Sequence, residues 1–557
     1  MQRTASLLVF GILISLGIFA RALDLGTHFS HVDDLGVART LVEAKQKPAP
    51  AETGLGEKAS WWLDQLTCVP NHWTYAPLQY FITYWLVHPS QTYRQALFWG
   101  RLPSFLFSIL GFFAVFVLYK KYDRLKSPAF LWFLFLIALS WENILYAKQM
   151  ESYAIGVTAA IFLLILLIQR LRSQDFSLAA LAKTGMGAGI LCTTQYQILF
   201  FMPAFWAVLF CDHWAKERKE SRPRLVLKMF AAFGIFFFFF TVLYLKFLKR
   251  QNATAGVTWN AGPNHEFLFS PGPHTGLLAK GAALVVFLAK NFFTVFSNTL
   301  AFLKESHPLS GPISFFLLLL LILGIVKLAF SKRRLHRSLL LFFALSALTW
   351  AMLVAGQKIA FSPTRHSLIL LPFFAFLIGE GWGRPKALAF IRRGHLACLG
   401  LFSLLFLAGL PGILQERKDP FDENRLAELF TRHQVGSVIT ADYTQQVSLM
   451  RKIYENFNYY ESETMWAPFK VRSVPPHQTL AFLNHRVPFD ENLFKTMQTK
   501  INLYHLINNR PQFVIRGSLN DYKIIYKEEK KSDTEIDFSN RTQNGSNNFH
   551  LTILQKK

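Results

Sequence analysis

The chain has 557 residues, 52% of them hydrophobic and 56 of them Phe, with a mean hydropathy of +0.26 and a formal net charge of +25. Repeated apolar runs near the roughly 20 residues that cross a bilayer exclude a water-soluble class and predict a polytopic membrane protein. Lys and Arg recur in clusters between those runs, where the positive-inside rule expects cytoplasmic loops; the charge therefore reads as topology, and nucleic acid is excluded as a partner.

The first apolar run, roughly residues 5–23, ends in Ala20-Arg21-Ala22, a triplet that also resembles a signal-peptide cleavage site, but its length favours a retained span. The segment 24–99 carries HVDDLGVA (His31 to Ala38) and the rings of Trp61, Trp62, Trp73, Tyr75, Tyr80, Tyr84 and Trp85, whose mixture with polar residues predicts interfacial helices. Further spans fall at roughly 100–119, 128–145, 153–169, 178–194, 197–212, 229–248, 311–330, 338–356, 367–383 and 395–414, about eleven with the first. The run 280–303 keeps Lys280, Lys290 and Asn291 in an apolar stretch and reads as another interfacial helix, because counting it as a span would invert every later loop. On this count Lys120 to Lys126, Arg170 and Arg172, Lys216 to Lys228, Lys332 to Arg337 and Arg384 to Arg393 share one side, the cytoplasm. The acidic segment, the turn at 141–152, the stretch 249–310, the turn at 357–366 and the C-terminal tail face the other.

A membrane domain over 1–414 thus precedes a soluble domain over 415–557, where the composition turns polar. There 422–434 reads as a helix, GSVITAD (436–442) as a short buried strand and 443–456 as a second helix, predicting a small α/β module. From Lys527 onward charge, Asn and Ser predict a frayed tail. Neither GxGxxG nor GxxxxGK[ST] occurs, so the chain shows no nucleotide loop. The four scattered cysteines (Cys68, Cys192, Cys211, Cys398) offer neither a disulfide framework nor zinc spacing.

Four polar groups fall on the non-cytoplasmic face. Asp33 and Asp34 repel one another, so a partly desolvated pair holds one raised pKa, suited to a general base; a solvated helix cap is the plainer reading. Arg101 is either a phosphate-binding fork or a snorkelling cation. Glu142, Lys148 and Glu151 crowd one turn, as a loop anchor or a substrate site. Arg365 and His366 stand at the entry of an apolar helix, as interfacial anchors or as ligands. Together they supply a carboxylate base and several cations for an anionic group. Asp33, Asp34 and His31 are the donor types a hard divalent ion takes, but HxDD is too short a pattern to assign one, and no other cofactor is indicated.

The order of these motifs resembles the GT-C superfamily of integral-membrane glycosyltransferases, in the branch with protein O-mannosyltransferases, the lipid A aminoarabinose transferase and Rgt-type lipopolysaccharide transferases. HVDDLGVA is similar to that family's first-loop acidic motif, YAPLQYFITYWL (75–86) to its HPPLYYLL segment and GRLPSFLFSILGFFAVFVLYK (100–120) to its R-L-P-S-A-L-F-G helix. NILYAKQMESYAI (143–155) resembles the Y-S-Q-E-A-R-P-Y-A-L turn, and SPTRHSLILLPFFAFLIGEGW (362–382) the R-Y-L-L-P-x-x-P segment. Three departures stand out: HPP becomes Tyr75, Ala76, Pro77; Q-E-A-R becomes Lys148, Gln149, Met150, Glu151; and R-Y becomes Arg365, His366.

The resemblance implies a helix bundle of GT-C type in a bacterial inner membrane, with the C-terminal domain periplasmic. It implies transfer of a sugar, with inversion, from a polyprenyl-phosphate donor to a hydroxyl of a lipid, glycan or protein. Asp33 falls at the matching catalytic carboxylate with Asp34 beside it, and Arg101, Arg365 and Lys148 at the donor phosphate. Tyr75, Glu142, Glu151 and His366 would bind substrate. A transporter or flippase of lipid-linked saccharides is the reading from another class, and would show inverted repeats and midplane charges. An inactive assembly subunit is the third.

Overall fold

The computed structural model describes residues 2–23, 25, 37, 40, 41, 44, 45, 55–67, 76–88, 91, 93–125, 127–173, 175–217, 219–249, 269, 277–303, 307–359, 361, 365–382, 389–415, 429, 432, 433, 435–440, 479–485, 522–531 and 548–556. The chain divides into two compact units, Met1–Gly26 with Thr40–Pro411, and Thr27–Arg39 with Gly412–Lys557.

The described elements of the first unit are all helical. In chain order it holds α1 (Gln2–Ala22), α2 (Leu55–Leu66), α3 (Pro77–Leu86), α4 (Tyr93–Lys121), α5 (Pro128–Leu139), α6 (Trp141–Tyr146), α7 (Tyr153–Arg172) and α8 (Leu178–Thr194). A 3₁₀ turn, Tyr196–Phe201, leads into α9 (Met202–Lys216); then come α10 (Arg222–Leu243), α11 (Leu277–Leu300), α12 (Ser310–Ala329) and α13 (Arg334–Ala355). A second 3₁₀ turn, Arg365–Leu370, opens α14 (Leu371–Trp382), and α15 (Ala389–Gln415) follows. Pro128, Pro203 and Pro223 sit in first turns, where the missing N–H would be unsatisfied anyway. Large apolar side chains such as Leu227, Phe230 and Phe238 stay exposed along α10, as the lipid-facing side of a membrane helix requires.

Helix ends bearing the basic clusters meet at one end of the bundle. Arg172 donates to the Lys121 carbonyl (2.6 Å), Lys216 to the Leu171 carbonyl (2.5 Å) and Arg334 to Asp212 Oδ1 (2.8 Å), joining the ends of α4, α7, α9 and α13. Glu380, fully buried near the end of α14, pairs with Lys327 of α12 (2.6 Å) and with Arg124 of the α4–α5 turn (3.4 Å). Burial, and after it the Glu380 carboxylate, push the phenol of Tyr122 in that turn well above its ordinary range. This basic end gathers residues from four of the five clusters that the charge pattern assigns to one side; much of the fifth, Arg384 to Arg393, lies outside the described residues. The helices α12 and α14 approach closely there because Gly324 and Gly381 carry no side chain: a Cβ on either would run into the carbonyl of Leu377 or Leu320 on the other helix.

Among the described residues, seven helices are long and apolar enough to cross a membrane, α11 among them. Contacts show that α11 lies across the opposite, polar end instead. Its midpoint ring, Phe287, packs on Phe269, whose carbonyl accepts from Gln357 just beyond the far end of α13. The chain just past its C-terminus accepts from the Trp141 N–H at Ala301 (2.7 Å). The other six, the shorter apolar segments Leu8–Ala22, Pro128–Leu139, His366–Trp382 and Gly394–Leu410, and α8 coincide with the eleven apolar runs read from hydropathy, of which six are helices of full crossing length. The protein is therefore a multi-pass membrane protein.

The described part of the second unit is a four-stranded sheet, β1 (Val435–Thr440), β2 (Thr479–His485), β3 (Tyr522–Lys531) and β4 (Asn548–Lys556), in the order β1-β2-β4-β3. β1 is parallel to β2, and β4 is antiparallel to both β2 and β3. The strand expected at 436–442 is β1, whereas the helices expected over 422–434 and 443–456 lie almost wholly outside the described residues. The frayed tail expected from Lys527 is corrected: residues 527–531 pair with 548–552. Phe549, Leu551 and Ile553 alternate as one strand face requires, a period-two signal that the surrounding Asn, Ser and Lys dilute in any compositional average.

Candidate active site

The polar end is built where apolar helices are interrupted. α5 stops at Ser140, whose Oγ donates to the Thr299 carbonyl (3.1 Å) and accepts from the Asn143 N–H (3.4 Å), capping α6. The chain then turns through residues 147–152 before α7 begins. Glu142, Lys148 and Glu151, all predicted from sequence, are buried in this segment at no more than 4% exposure.

Arg101 joins them from α4, nine residues into that helix. It is fully buried and donates from Nη1 to the Leu25 carbonyl (3.0 Å), which excludes the snorkelling reading, since a snorkelling head reaches water. Three residues further on, Ser104 Oγ donates to the Glu151 carbonyl (3.1 Å) and accepts from Gln79 of α3 (2.7 Å). Tyr80, the neighbour of Gln79, donates to the Met150 carbonyl (2.9 Å). The short helix α3 buries Gln79, Tyr80, Thr83 and Tyr84, the spacing of one helical face, and leaves Trp85 exposed.

On the other side of the turn, Tyr153 Oη lies 3.3 Å from His366 Nδ1, and Gln197 donates to the His366 carbonyl (2.9 Å). Thr299 and Ser367 share a hydroxyl contact at 3.3 Å. The structure therefore brings Arg101, Glu142, Lys148, Glu151 and His366 to one end of the bundle. Arg365 is the first residue of the same 3₁₀ turn as His366. Asp33, Asp34 and Tyr75 lie outside the described residues. Among the described residues no three His, Cys, Asp or Glu side chains group as a metal site; the pair Asp33 and Asp34 falls outside that comparison.

Arg21 was missed in the sequence as a structural group. It is fully buried in the last turn of α1, donating to Ser108 Oγ (2.7 Å) and to the carbonyls of Gly17 (3.0 Å), Ile137 (2.9 Å) and Ala138 (2.6 Å), with its guanidinium over the Phe112 ring. Two of those carbonyls end α5, where the helix leaves acceptors unsatisfied and a cation is favoured. Arg21 thus fixes the α5–α6 break from which the buried turn departs. An arginine inside an apolar run was the available signal. Gln79, Ser104, Tyr153 and Gln197 gave none, because single polar residues in apolar helices follow no local pattern.

Fold and site together define a multi-pass helical membrane protein with a buried, charged and amide-rich cluster at the end opposite its basic loops. Two crystal structures of ArnT from Cupriavidus metallidurans are similar to it over most of the chain. The apo form has 11% identity and a TM-score of 0.45, covering 90% of this chain and 96% of that one. The form bound to undecaprenyl phosphate has 12% identity and a TM-score of 0.46, covering 98% and 97%. No family model matches the sequence, and no curated protein does.

Proposed function

We propose that the protein is an inverting glycosyltransferase of the GT-C class, moving a sugar from a polyprenyl-phosphate donor to a hydroxyl acceptor on the outer face of a bacterial inner membrane. The observation that carries this reading is the convergence of the motif-bearing segments around Arg101, 142–151 and His366 on one buried cluster, although they are widely separated in sequence. Asp33 takes the proton of the acceptor hydroxyl as its oxygen attacks the anomeric carbon, and Asp34 orients the acceptor. The bond from that carbon to the phosphate oxygen breaks, and polyprenyl phosphate leaves with the electron pair. Arg101, Arg365 and Lys148 stabilise the charge that grows on it, a role that a buried guanidinium fork suits. Glu142, Glu151, His366 and Tyr75 bind the substrates. The donor already carries the activation energy, so no nucleotide site is needed.

The test compares membrane lipids and glycans by mass spectrometry in cells carrying the unaltered protein or the Asp33→Asn, Asp34→Asn double variant at equal abundance. Loss of one sugar mass from one species is the expected result. An unchanged profile overturns catalysis by this pair and favours a transport or assembly role.

A further inference from the structure

Three amides of the polar end are bonded through their nitrogen only. Gln79 donates from Nε2 to Ser104 Oγ (2.7 Å), Asn143 from Nδ2 to the Ile137 carbonyl (2.9 Å) and Gln197 from Nε2 to the His366 carbonyl (2.9 Å). Each partner fixes which end of the amide is nitrogen. Carbonyls only accept, and Ser104 spends its single proton on the Glu151 carbonyl (3.1 Å), so it must accept from Gln79. The three amide oxygens are buried and accept no hydrogen bond. The Oε1 of Gln149, a residue only 3% exposed, likewise accepts none.

Three of the four amides, Gln79, Gln149 and Gln197, are strung along one structure. Gln79 reaches Glu151 through Ser104; Gln149 stands two residues before Glu151 and Tyr153 two after it; Tyr153 meets His366, whose carbonyl holds Gln197. At the basic end, by contrast, the buried atoms without partners include both kinds, the hydroxyls of Tyr119 and Tyr122 and the Oε1 of Glu380, which can answer one another. The amide oxygens of the polar end are all acceptors. A buried acceptor without a donor carries its full desolvation penalty, so this set calls for several donors from outside the chain.

We propose that these amide oxygens receive the hydroxyls of the donor's sugar ring, an uncharged polyol bonded to phosphate; the inference rests on the glycosyl-transfer reading. The donor, not the acceptor, is indicated because the amides adjoin the cations assigned to the phosphate. Lys148 precedes Gln149, and Arg101 stands one helical turn from Ser104. A sugar joined to that phosphate through one oxygen falls within reach of the same turn.

Gln149→Leu is the informative variant, since Gln149 Oε1 has no donor in the protein to lose. In lipid nanodiscs, thermal unfolding of the full-length protein is followed with undecaprenyl phosphate and with undecaprenyl phosphate carrying glucose, arabinose or an amino-pentose. For the unaltered protein, at least one sugar-bearing lipid is expected to bind about tenfold more tightly than the sugarless one. Gln149→Leu, or Gln149→Met should the first fold poorly, is expected to abolish that excess and leave the sugarless shift unchanged. Survival of the excess in the variant, or an equal fall in both shifts, overturns the sugar contact while leaving glycosyl transfer standing. Failure of every lipid phosphate to stabilise the unaltered protein overturns the donor reading and the contact with it.

Discussion

The two ends of the helical unit both bury charge but resolve it differently. At the basic end each buried carboxylate has cationic side chains of its own, Glu380 with Lys327 and Arg124, and Asp212 with Lys216 and Arg334. At the polar end Arg21 and the amide nitrogens of Asn143 and Gln197 are held by backbone carbonyls, and the oxygens of those two amides accept nothing. Mutual neutralisation makes the first a closed structural clamp. Carbonyl anchoring makes the second a frame that holds donors and acceptors in place for something else.

The sharpest break of that contrast is Glu380→Gln, which strands two cations in the clamp and is expected to cost about 3–5 kcal/mol of stability, read as a loss of melting temperature in detergent. Adding Lys327→Met should restore part of the loss, because an apolar replacement removes one stranded charge. At the other end Arg101→Lys keeps the charge but loses the planar fork, and is expected to slow sugar transfer by about 10²–10³-fold with a smaller change in melting temperature than Glu380→Gln. Arg21→Met tests the boundary between the two behaviours. It removes the Arg21 donor from the Ala138 carbonyl, leaves the Ile137 carbonyl to Asn143, and is expected to cost about 2 kcal/mol, with transfer falling because the α5–α6 break loosens. The smallest effect is expected for Thr299→Val, about 1 kcal/mol for the lost contact with Ser367, measured by thermal unfolding.

The clamp was legible in the sequence as an address and not as a structure. Basic clusters between apolar runs mark which helix ends lie together, because insertion selects for that charge, but Glu380 sits in an apolar run with nothing nearby in sequence to name Lys327 or Arg124. Within the candidate site, Arg101, Glu142, Lys148, Glu151 and His366 were legible because ionisable groups at helix ends break a hydrophobic pattern. The burial of the first four was not, since it depends on Ser140 ending α5 early and on α11 closing over the turn, both tertiary contacts. The amides were invisible for a further reason: an unused acceptor is a property of three-dimensional surroundings, and Gln79 reads the same whether its oxygen is solvated or stranded. The strands β3 and β4 were hidden in a window whose average charge outweighed an alternation only a few residues long.

The pairing of Arg124 with Glu380 also sets a schedule. The two residues are 256 positions apart, and Lys327 precedes Glu380 by 53. At a synthesis rate of about 5–20 residues per second, Arg124 leaves the ribosome roughly 13–50 s before Glu380 exists, and Lys327 roughly 3–10 s before it. The early helices must therefore wait in the bilayer with the clamp open, and the arrival of α14 is the event that completes it. A nascent chain stalled before Gly379 would keep a cationic cleft at its basic end, a form that quality-control factors could distinguish from the finished protein by charge alone.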